Sequence, residues 1–143
     1  IRCLNELIPS FVEQVAPMAE QRGLELSIDE QAQLWVKSPS RVVQIVLINL
    51  LRNAINYTQQ GSVIVRISKN SVSVIDTGIG MSPEELQHAF EPFYRGERSR
   101  ASSMGHGLGL SIVRRLVHQF DWPIRVQSNV GKGTEVTIEF FDA

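Results

Sequence analysis

The sequence predicts a two-layer α/β sandwich, in which a sheet packs against helices on one of its faces. The main indication is that apolar and polar residues alternate in the segments 62–68, 123–128 and 134–141, because strands of this kind bury one face and leave the other in water. Segments with apolar residues at helical spacing separate these strands. A chain of 143 residues that is 43% hydrophobic can bury one core, so we expect one domain over residues 1–143.

The first predicted helix covers residues 5–22, where apolar residues recur at helical spacing. Pro9 and Pro17 are expected to interrupt this helix, since proline removes a backbone donor, and Gly23 is expected to end it. The other predicted helices cover 40–57, 82–90 and the segment from 109 to about 120.

The predicted strands come in pairs along the chain. Short strands at 24–28 and 33–36 flank an acidic turn, and 62–68 and 71–76 are expected to form a hairpin around Lys69 and Asn70. The last pair lies at 123–128 and 134–141.

Composition excludes several classes of partner. The net charge of -1 provides no basic surface for nucleic acid, and the single cysteine, Cys3, excludes an internal disulfide and fits a reducing compartment. The longest apolar run, 42–51, is broken by Gln44 and Asn49 and is too short to span a bilayer. We therefore expect a domain that contacts neither nucleic acid nor membrane. Because the sequence starts abruptly in a helix-like segment, we also expect a domain excised from a longer protein.

The predicted helix 40–57 carries a polar stripe that points to a ligand. Asn49, Asn53 and Asn56 fall on one narrow face together with Arg52. A solvent-facing stripe is the alternative, but asparagine is a poor helix former. An amide oxygen is a suitable ligand for Mg²⁺ that is held mainly by phosphates.

Two glycine-rich segments complete the pattern of a nucleotide site. DTGIG at 76–80 follows a buried strand, and GHGLG at 105–109 precedes a helix. Glycine permits close approach of backbone to a ligand, and helix N-termini bind phosphate. A Rossmann motif is disfavoured, because a polar loop and not a strand precedes GHGLGL.

Five segments resemble the motifs of sensor histidine kinases, in the same order and spacing. NLLRNAINYT (49–58), DTGIGM (76–81), FEPFYRG (90–96), GHGLGL (105–110) and GKGT (131–134) are similar to the N box, first glycine box, F box, second glycine box and last glycine box. The resemblance covers residues 40 to 137 and implies the Bergerat ATP-binding fold of gyrase, Hsp90 and MutL, a mixed sheet with helices on one face.

The resemblance also implies roles around the adenine. Asp76 matches the aspartate that accepts a hydrogen bond from the adenine amino group, and Gly78 and Gly80 let the backbone pass the base. Tyr57 matches an aromatic residue near the base or ribose, with a core position as the alternative. Thr134 matches a residue that closes the pocket, with a plain hairpin turn at 131–133 as the alternative.

The implied phosphate end combines metal, amide and arginine groups. Asn53 matches the Mg²⁺ ligand, and Asn49 lies near the phosphates. Arg95 and Arg100 match the F-box and lid arginines that act on the γ-phosphate, so Asn49, Arg95 and Arg100 are the predicted catalytic residues. The second glycine box adds the predicted nucleotide contacts Gly105, His106, Gly107, Leu108 and Gly109.

One position departs from the family's pattern. Asn56 stands where the family usually has lysine or arginine, so one phosphate-contacting cation is missing. Arg52 and Lys132 are the two residues that could compensate.

The histidines bear on function. His88, His106 and His118 all lack the acidic residue that follows a phosphoacceptor histidine in this family. The resemblance implies that the domain binds Mg-ATP, or Mg-ADP as product, and donates the γ-phosphoryl group to a histidine on a separate dimerisation domain of the same parent. A response regulator would act downstream. It further implies a cytoplasmic domain of an inner-membrane sensor.

Two other functions remain open. A gyrase- or Hsp90-type ATPase would use a glutamate base where this chain has Asn49, and an amide cannot take a proton. A regulatory module that binds nucleotide without catalysis would need an activity assay to distinguish it.

Overall fold

A five-stranded mixed sheet forms the centre of the computed structural model, which describes residues 2–88 and 109–140. In chain order the elements are β1 (Arg2–Cys3), α1 (Leu4–Gln21), β2 (Glu25–Glu30), β3 (Trp35–Val36), α2 (Ser40–Asn56), β4 (Ser62–Ile67), β5 (Ser71–Asp76), α3 (Pro83–His88), α4 (Gly109–Gln119), β6 (Ile124–Asn129) and β7 (Gly133–Glu139).

The strand order of the sheet is β2-β4-β5-β7-β6. Strands β2 and β4 are parallel, and every other neighbouring pair is antiparallel. The predicted hairpin of 62–68 and 71–76 is confirmed as β4 and β5. The ends of β5 and β6 and the start of β7 therefore lie together at one end of the sheet.

One face of the sheet packs against α1, α2 and α4, as the two-layer prediction requires. The alternating residues Val63, Val65 and Ile67 of β4 are buried, and so are Val136 and Ile138 of β7. Helix α2 contributes the largest set of buried helix residues, and α1 and α4 contribute the rest; those of α2 are Val43, Val46, Leu47, Leu50, Leu51, Ala54 and Ile55. The core therefore lies between the sheet and these three helices.

The other face of the sheet carries polar pairs. Arg66 forms an ion pair with Asp29 at 3.0 Å, and the Ser73 and Thr137 hydroxyls are buried and 2.8 Å apart. Because these two hydroxyls are buried, this face is less open to water than simple alternation predicts.

Helix α1 is continuous through Pro9 and Pro17, so the predicted interruption is wrong. Both prolines are exposed, and the carbonyls that they leave without a helical donor can be hydrated. The apolar stripe of the helix is buried and includes Phe11 and Val15, which outweighs the lost hydrogen bonds. Gly23 ends the helix with φ of 69°, as predicted.

The strand predicted at 33–36 is shorter and pairs elsewhere. It is β3, which pairs with the unpredicted β1 in a separate two-stranded sheet. Asn5 stabilises this corner by accepting from the Leu34 N–H at 2.9 Å and donating to the Ala32 carbonyl at 2.8 Å. Within the described ranges, no helix combines the length and hydropathy needed to cross a bilayer.

Candidate functional site

The site is built around Asp76, the last residue of β5. Its side chain is only 7% exposed, and its Oδ1 accepts hydrogen bonds from the backbone N–H groups of Gly78 at 2.9 Å and Thr134 at 3.2 Å. The second oxygen, Oδ2, receives no hydrogen bond from the part of the chain that the structure describes. Because a carboxylate has two acceptor oxygens, this unpaired oxygen of a largely buried residue is an acceptor site for a ligand.

Burial sets the protonation of Asp76. Loss of solvent around the carboxyl raises its pKa from 3.8 to about 6, against the smaller lowering effect of the Gly78 and Thr134 N–H groups. Asp76 is therefore mainly ionised at neutral pH and can accept a hydrogen bond from an amino group.

The glycines of the DTGIG segment make room for other parts of the protein. A Cβ atom on Gly78 would meet the Tyr57 carbonyl, and one on Gly80 would meet the Asn129 carbonyl. Gly80 also has a φ of 70°, which disfavours other residues. In the described structure these glycines bring backbone segments together; their predicted contact with a base stays a prediction.

Ile79 joins three of the predicted motifs through its backbone. Its N–H donates to the Tyr57 carbonyl at 3.1 Å, and its carbonyl accepts from the Gly131 N–H at 2.7 Å. The end of α2, the DTGIG turn and the β6–β7 turn thus form one hydrogen-bonded unit. The Tyr57 side chain is half-buried.

Thr134 and Ser128 extend this unit. Residues 130–132 form the turn between β6 and β7, and Gly133 already belongs to β7. Thr134 lies directly opposite Asp76 in the pairing of β5 and β7 and borders the carboxylate. The Ser128 hydroxyl lies 2.8 Å from the Thr134 hydroxyl and accepts from the Met81 N–H at 2.7 Å. Asp76, Ser128 and Thr134 line one cavity of about 200 Å³ at this end of the sheet.

Sequence reasoning missed Ser128, although a signal was present. In β6 the half-buried positions are Ile124, Val126 and Ser128, and the positions between them are exposed. A polar residue in phase with the inward apolar residues needs a hydrogen-bond partner. Beside a GKGT turn, that position could have been named as part of the site.

The polar face of α2 is only partly solvated. Arg52 is exposed, whereas Asn49, Asn53 and Asn56 are half-buried. Asn49 and Arg52 line a second cavity of about 620 Å³, together with residues from the start of α2 and from α1. The Asn49 amide donates to the Ile45 carbonyl of its own helix at 2.7 Å.

The surroundings of Asn53 suit its side chain to serve as a metal ligand. Its side-chain amide makes no hydrogen bond to the described residues, and it lies one helical turn from Asn49, so its oxygen is free to bind a ligand. A neutral oxygen donor beside a phosphate site fits Mg²⁺.

Several predicted site residues lie outside the described residues. These are Arg95, Arg100, Gly105, His106, Gly107 and Leu108. Gly109 is described and begins α4, which ends at Gln119 as predicted. The structure thus brings together Asp76, Gly78, Gly80, Tyr57 and Thr134, with Asn49 and Asn53 on the adjoining helix.

Comparison with known proteins identifies the family. Residues 38–143 match the family of histidine kinase-, DNA gyrase B-, and HSP90-like ATPases. The sensor histidine kinase YclK of Bacillus subtilis (strain 168) is 33% identical over 142 residues, which are 94% of this chain and 30% of that protein. The chain thus spans about a third of the length of this relative.

Solved structures agree with the fold. The mycobacterial sensor histidine kinase MprB superposes with a TM-score of 0.77 at 28% identity, over 96% of this chain and 94% of that one. A crystal structure of full-length ShkA in complex with AMPPNP has the same TM-score of 0.77 at 25% identity, over 98% of this chain and 31% of that one. With its mixed sheet and one layer of helices, the chain belongs to the family of histidine kinase-, DNA gyrase B- and HSP90-like ATPases and is an ATP-binding domain of the sensor histidine kinase type.

Proposed function

We propose that this domain binds Mg-ATP and transfers its γ-phosphoryl group to a histidine on the dimerisation domain of a parent sensor kinase. The observation that carries the proposal is the buried Asp76 carboxylate, which keeps one oxygen free at a turn hydrogen-bonded to both α2 and the β6–β7 turn. A relative that is 33% identical over 94% of this chain, YclK, is a sensor histidine kinase.

Asp76 would recognise the adenine base of the nucleotide. Its ionised carboxylate accepts a hydrogen bond from the exocyclic amino group of adenine, and it would repel the carbonyl oxygen that guanine presents at the same place. The Ile79 hydrogen bonds hold the Asp76 turn in position before nucleotide arrives.

The α2 face would hold the phosphate end. Asn53 would be the protein's ligand to Mg²⁺, which when bound offsets charge on the transferred phosphoryl group. Asn49 would orient a phosphate oxygen and cannot deprotonate water, so this residue favours transfer to another acceptor over hydrolysis. Arg95 and Arg100 are proposed to stabilise the γ-phosphate charge.

The transfer itself needs a second domain. An imidazole nitrogen of the acceptor histidine would form a bond to the γ-phosphorus as the bond to the β,γ-bridging oxygen breaks, leaving ADP. Among the described residues, His118 is an exposed residue of α4 and is followed by Gln119, which does not suit it as acceptor. We propose that a response regulator then receives the phosphoryl group.

The test is incubation with γ-labelled ATP. The isolated domain should show almost no autophosphorylation and slow phosphate release, and adding the parent's dimerisation segment should produce acid-labile label on that segment. Asp76→Asn should weaken ATP binding about ten- to a hundredfold in a calorimetric titration, because a charge-assisted hydrogen bond is lost. Brisk hydrolysis by the domain alone would favour an ATPase, and unchanged affinity would contradict the role of Asp76.

A further inference from the structure

Ser128 connects the Asp76 turn to the start of β7 through one hydroxyl group. We propose that Ser128 is a positioning residue that lets the Thr134 hydroxyl donate a hydrogen bond to the ring nitrogen next to the amino group of adenine. The inference deepens the proposed function and rests on it, since it requires adenine beside Asp76.

The hydrogen bonds of Ser128 limit where its proton can go. The Met81 N–H donates to Oγ at 2.7 Å and occupies one lone pair. Oγ also lies 3.1 Å from the Gly133 carbonyl and 2.8 Å from the Thr134 hydroxyl. A serine hydroxyl has one proton and two lone pairs, so it can donate to only one of these two neighbours.

Two proton arrangements follow. In the first, Ser128 donates to the Gly133 carbonyl and Thr134 donates to Ser128, which leaves Thr134 facing the site only as an acceptor. In the second, Ser128 donates to Thr134, and the Thr134 proton is free to donate to a ligand. The second arrangement gives up the longer contact of 3.1 Å and keeps the one of 2.8 Å.

The chemistry of adenine selects the second arrangement. An amino group that donates to Asp76 is adjacent to an unprotonated ring nitrogen, which needs a donor. The nearby backbone N–H groups of Gly78 and Thr134 already donate to Asp76 Oδ1, so the Thr134 hydroxyl is the donor left on the residue opposite Asp76. Guanine carries a proton on the corresponding ring nitrogen and cannot accept this bond.

Ser128 therefore keeps the Thr134 hydroxyl hydrogen-bonded in both proton arrangements. Without the Ser128 hydroxyl, Thr134 would have no donor to its oxygen while it donates to the base, and the Met81 N–H would lose its acceptor. Hydrogen bonds in a chain strengthen one another, so loss of Ser128 should weaken the contact to the ring nitrogen.

The experiment measures ADP and 1-deaza-ADP binding by calorimetry. The analogue has carbon in place of the ring nitrogen in question. Wild-type protein should bind ADP about three- to tenfold more tightly than the analogue, and Ser128→Ala should reduce that ratio to below about twofold by weakening ADP binding alone. GDP should bind weakly to both proteins.

Two controls keep the result specific. Ser128→Thr and Ser128→Val have nearly the same shape and differ in the hydroxyl, so only Thr should retain the ratio. Ser73→Ala removes an equally short hydroxyl pair, Ser73 with Thr137 at 2.8 Å, on the other face of the sheet, and should leave the ratio unchanged.

The outcomes separate the two proposals. If wild-type protein binds ADP and the ratio of ADP to 1-deaza-ADP affinity is unchanged in Ser128→Ala and Ser128→Val, the role of Ser128 is overturned, but the proposed function is not. The same loss of ratio in Ser73→Ala also overturns it, because the effect would then be a general consequence of lost stability. No binding of ATP or ADP by wild-type protein overturns the proposed function.

Discussion

At the scale of single residues, the site depends on a carboxylate whose charged form is destabilised by burial in the fold. Asp76 is buried among backbone groups and has a pKa of about 6, so the protein keeps a charge where an amide or an apolar residue would be more stable. Such destabilised polar groups are typical of binding sites. Two predictions follow from this single feature, one for binding and one for stability.

Nucleotide binding should weaken in acid. A proton on Asp76 competes with the amino group of the base, so ADP affinity should fall as pH decreases through about 6, approaching about tenfold per pH unit. Calorimetric titrations between pH 5 and 8 would measure this. Asp76→Asn is the control, because it should retain only the pH dependence that the nucleotide phosphates themselves contribute.

The Asp76 contribution to the stability of the nucleotide-free protein should depend on pH in the opposite sense, and should increase as pH falls. Because folding raises the Asp76 pKa from 3.8 to about 6, the folded state binds the proton more tightly, and stability due to this group is lost as pH rises through that interval. Asp76→Asn should therefore be more stable than wild type at pH 8, by up to roughly 3 kcal/mol, and the gain should shrink by pH 4. Denaturant unfolding of both proteins at pH 4 and pH 8 would measure this. An equal gain in stability of Asp76→Asn at the two pH values would show that the Asp76 carboxyl titrates normally.

Asn53 and Asn56 should respond differently to substitution. Asn53→Ala should abolish the Mg²⁺ dependence of ATP binding, since its half-buried amide is unpaired within the described chain. Asn56→Lys should keep or improve affinity by supplying the missing cation near the phosphates. Titrations with and without Mg²⁺ would measure both, and a severalfold loss in Asn56→Lys would show that Asn56 has a role of its own.

At the scale of elements, the ends of α1 and α2 are joined by one side chain. Arg22 donates to the Asn56 carbonyl at 3.2 Å and to the Thr58 carbonyl at 3.2 and 3.3 Å. These carbonyls flank that of Tyr57, which accepts from Ile79. A cation at the carboxyl end of a helix is also favoured by the helix dipole. The position of α1 is therefore coupled to the Asp76 turn.

Arg22→Met should loosen that turn while keeping most of the side-chain stem. We expect a loss of about 1–3 kcal/mol in unfolding free energy, faster hydrogen exchange of the Ile79 amide, and severalfold weaker ATP binding. Arg66→Met is the matched control, because it breaks the 3.0 Å pair with Asp29 on the opposite face and should affect stability only. Equal exchange rates at Ile79 in both variants would contradict the coupling.

At the scale of the whole molecule, sequence predicted the layers better than the connections. One-sided alternation in β4 and β7 was sufficient to place the sheet and its buried face, because that period is set by backbone geometry. The path of α1 through Pro9 and Pro17 was not predictable locally, since burial against α2 decided it. The pairing of β3 with β1, and the Ser128 contacts with Met81 and Thr134, depend on residues distant in sequence.

Helix α1 and strand β2 lie before residue 38, where the match to the family begins. A chain shortened to 38–143 would leave β4 as an open edge, with unpaired N–H and C=O groups along Ser62–Ile67, and would uncover apolar side chains of α2. Open edges recruit strands from other molecules. We therefore expect the shortened chain to self-associate, and light scattering after size exclusion would reveal it; a monodisperse monomer would contradict this. The smallest piece that remains monomeric should thus be larger than the piece that sequence comparison delimits.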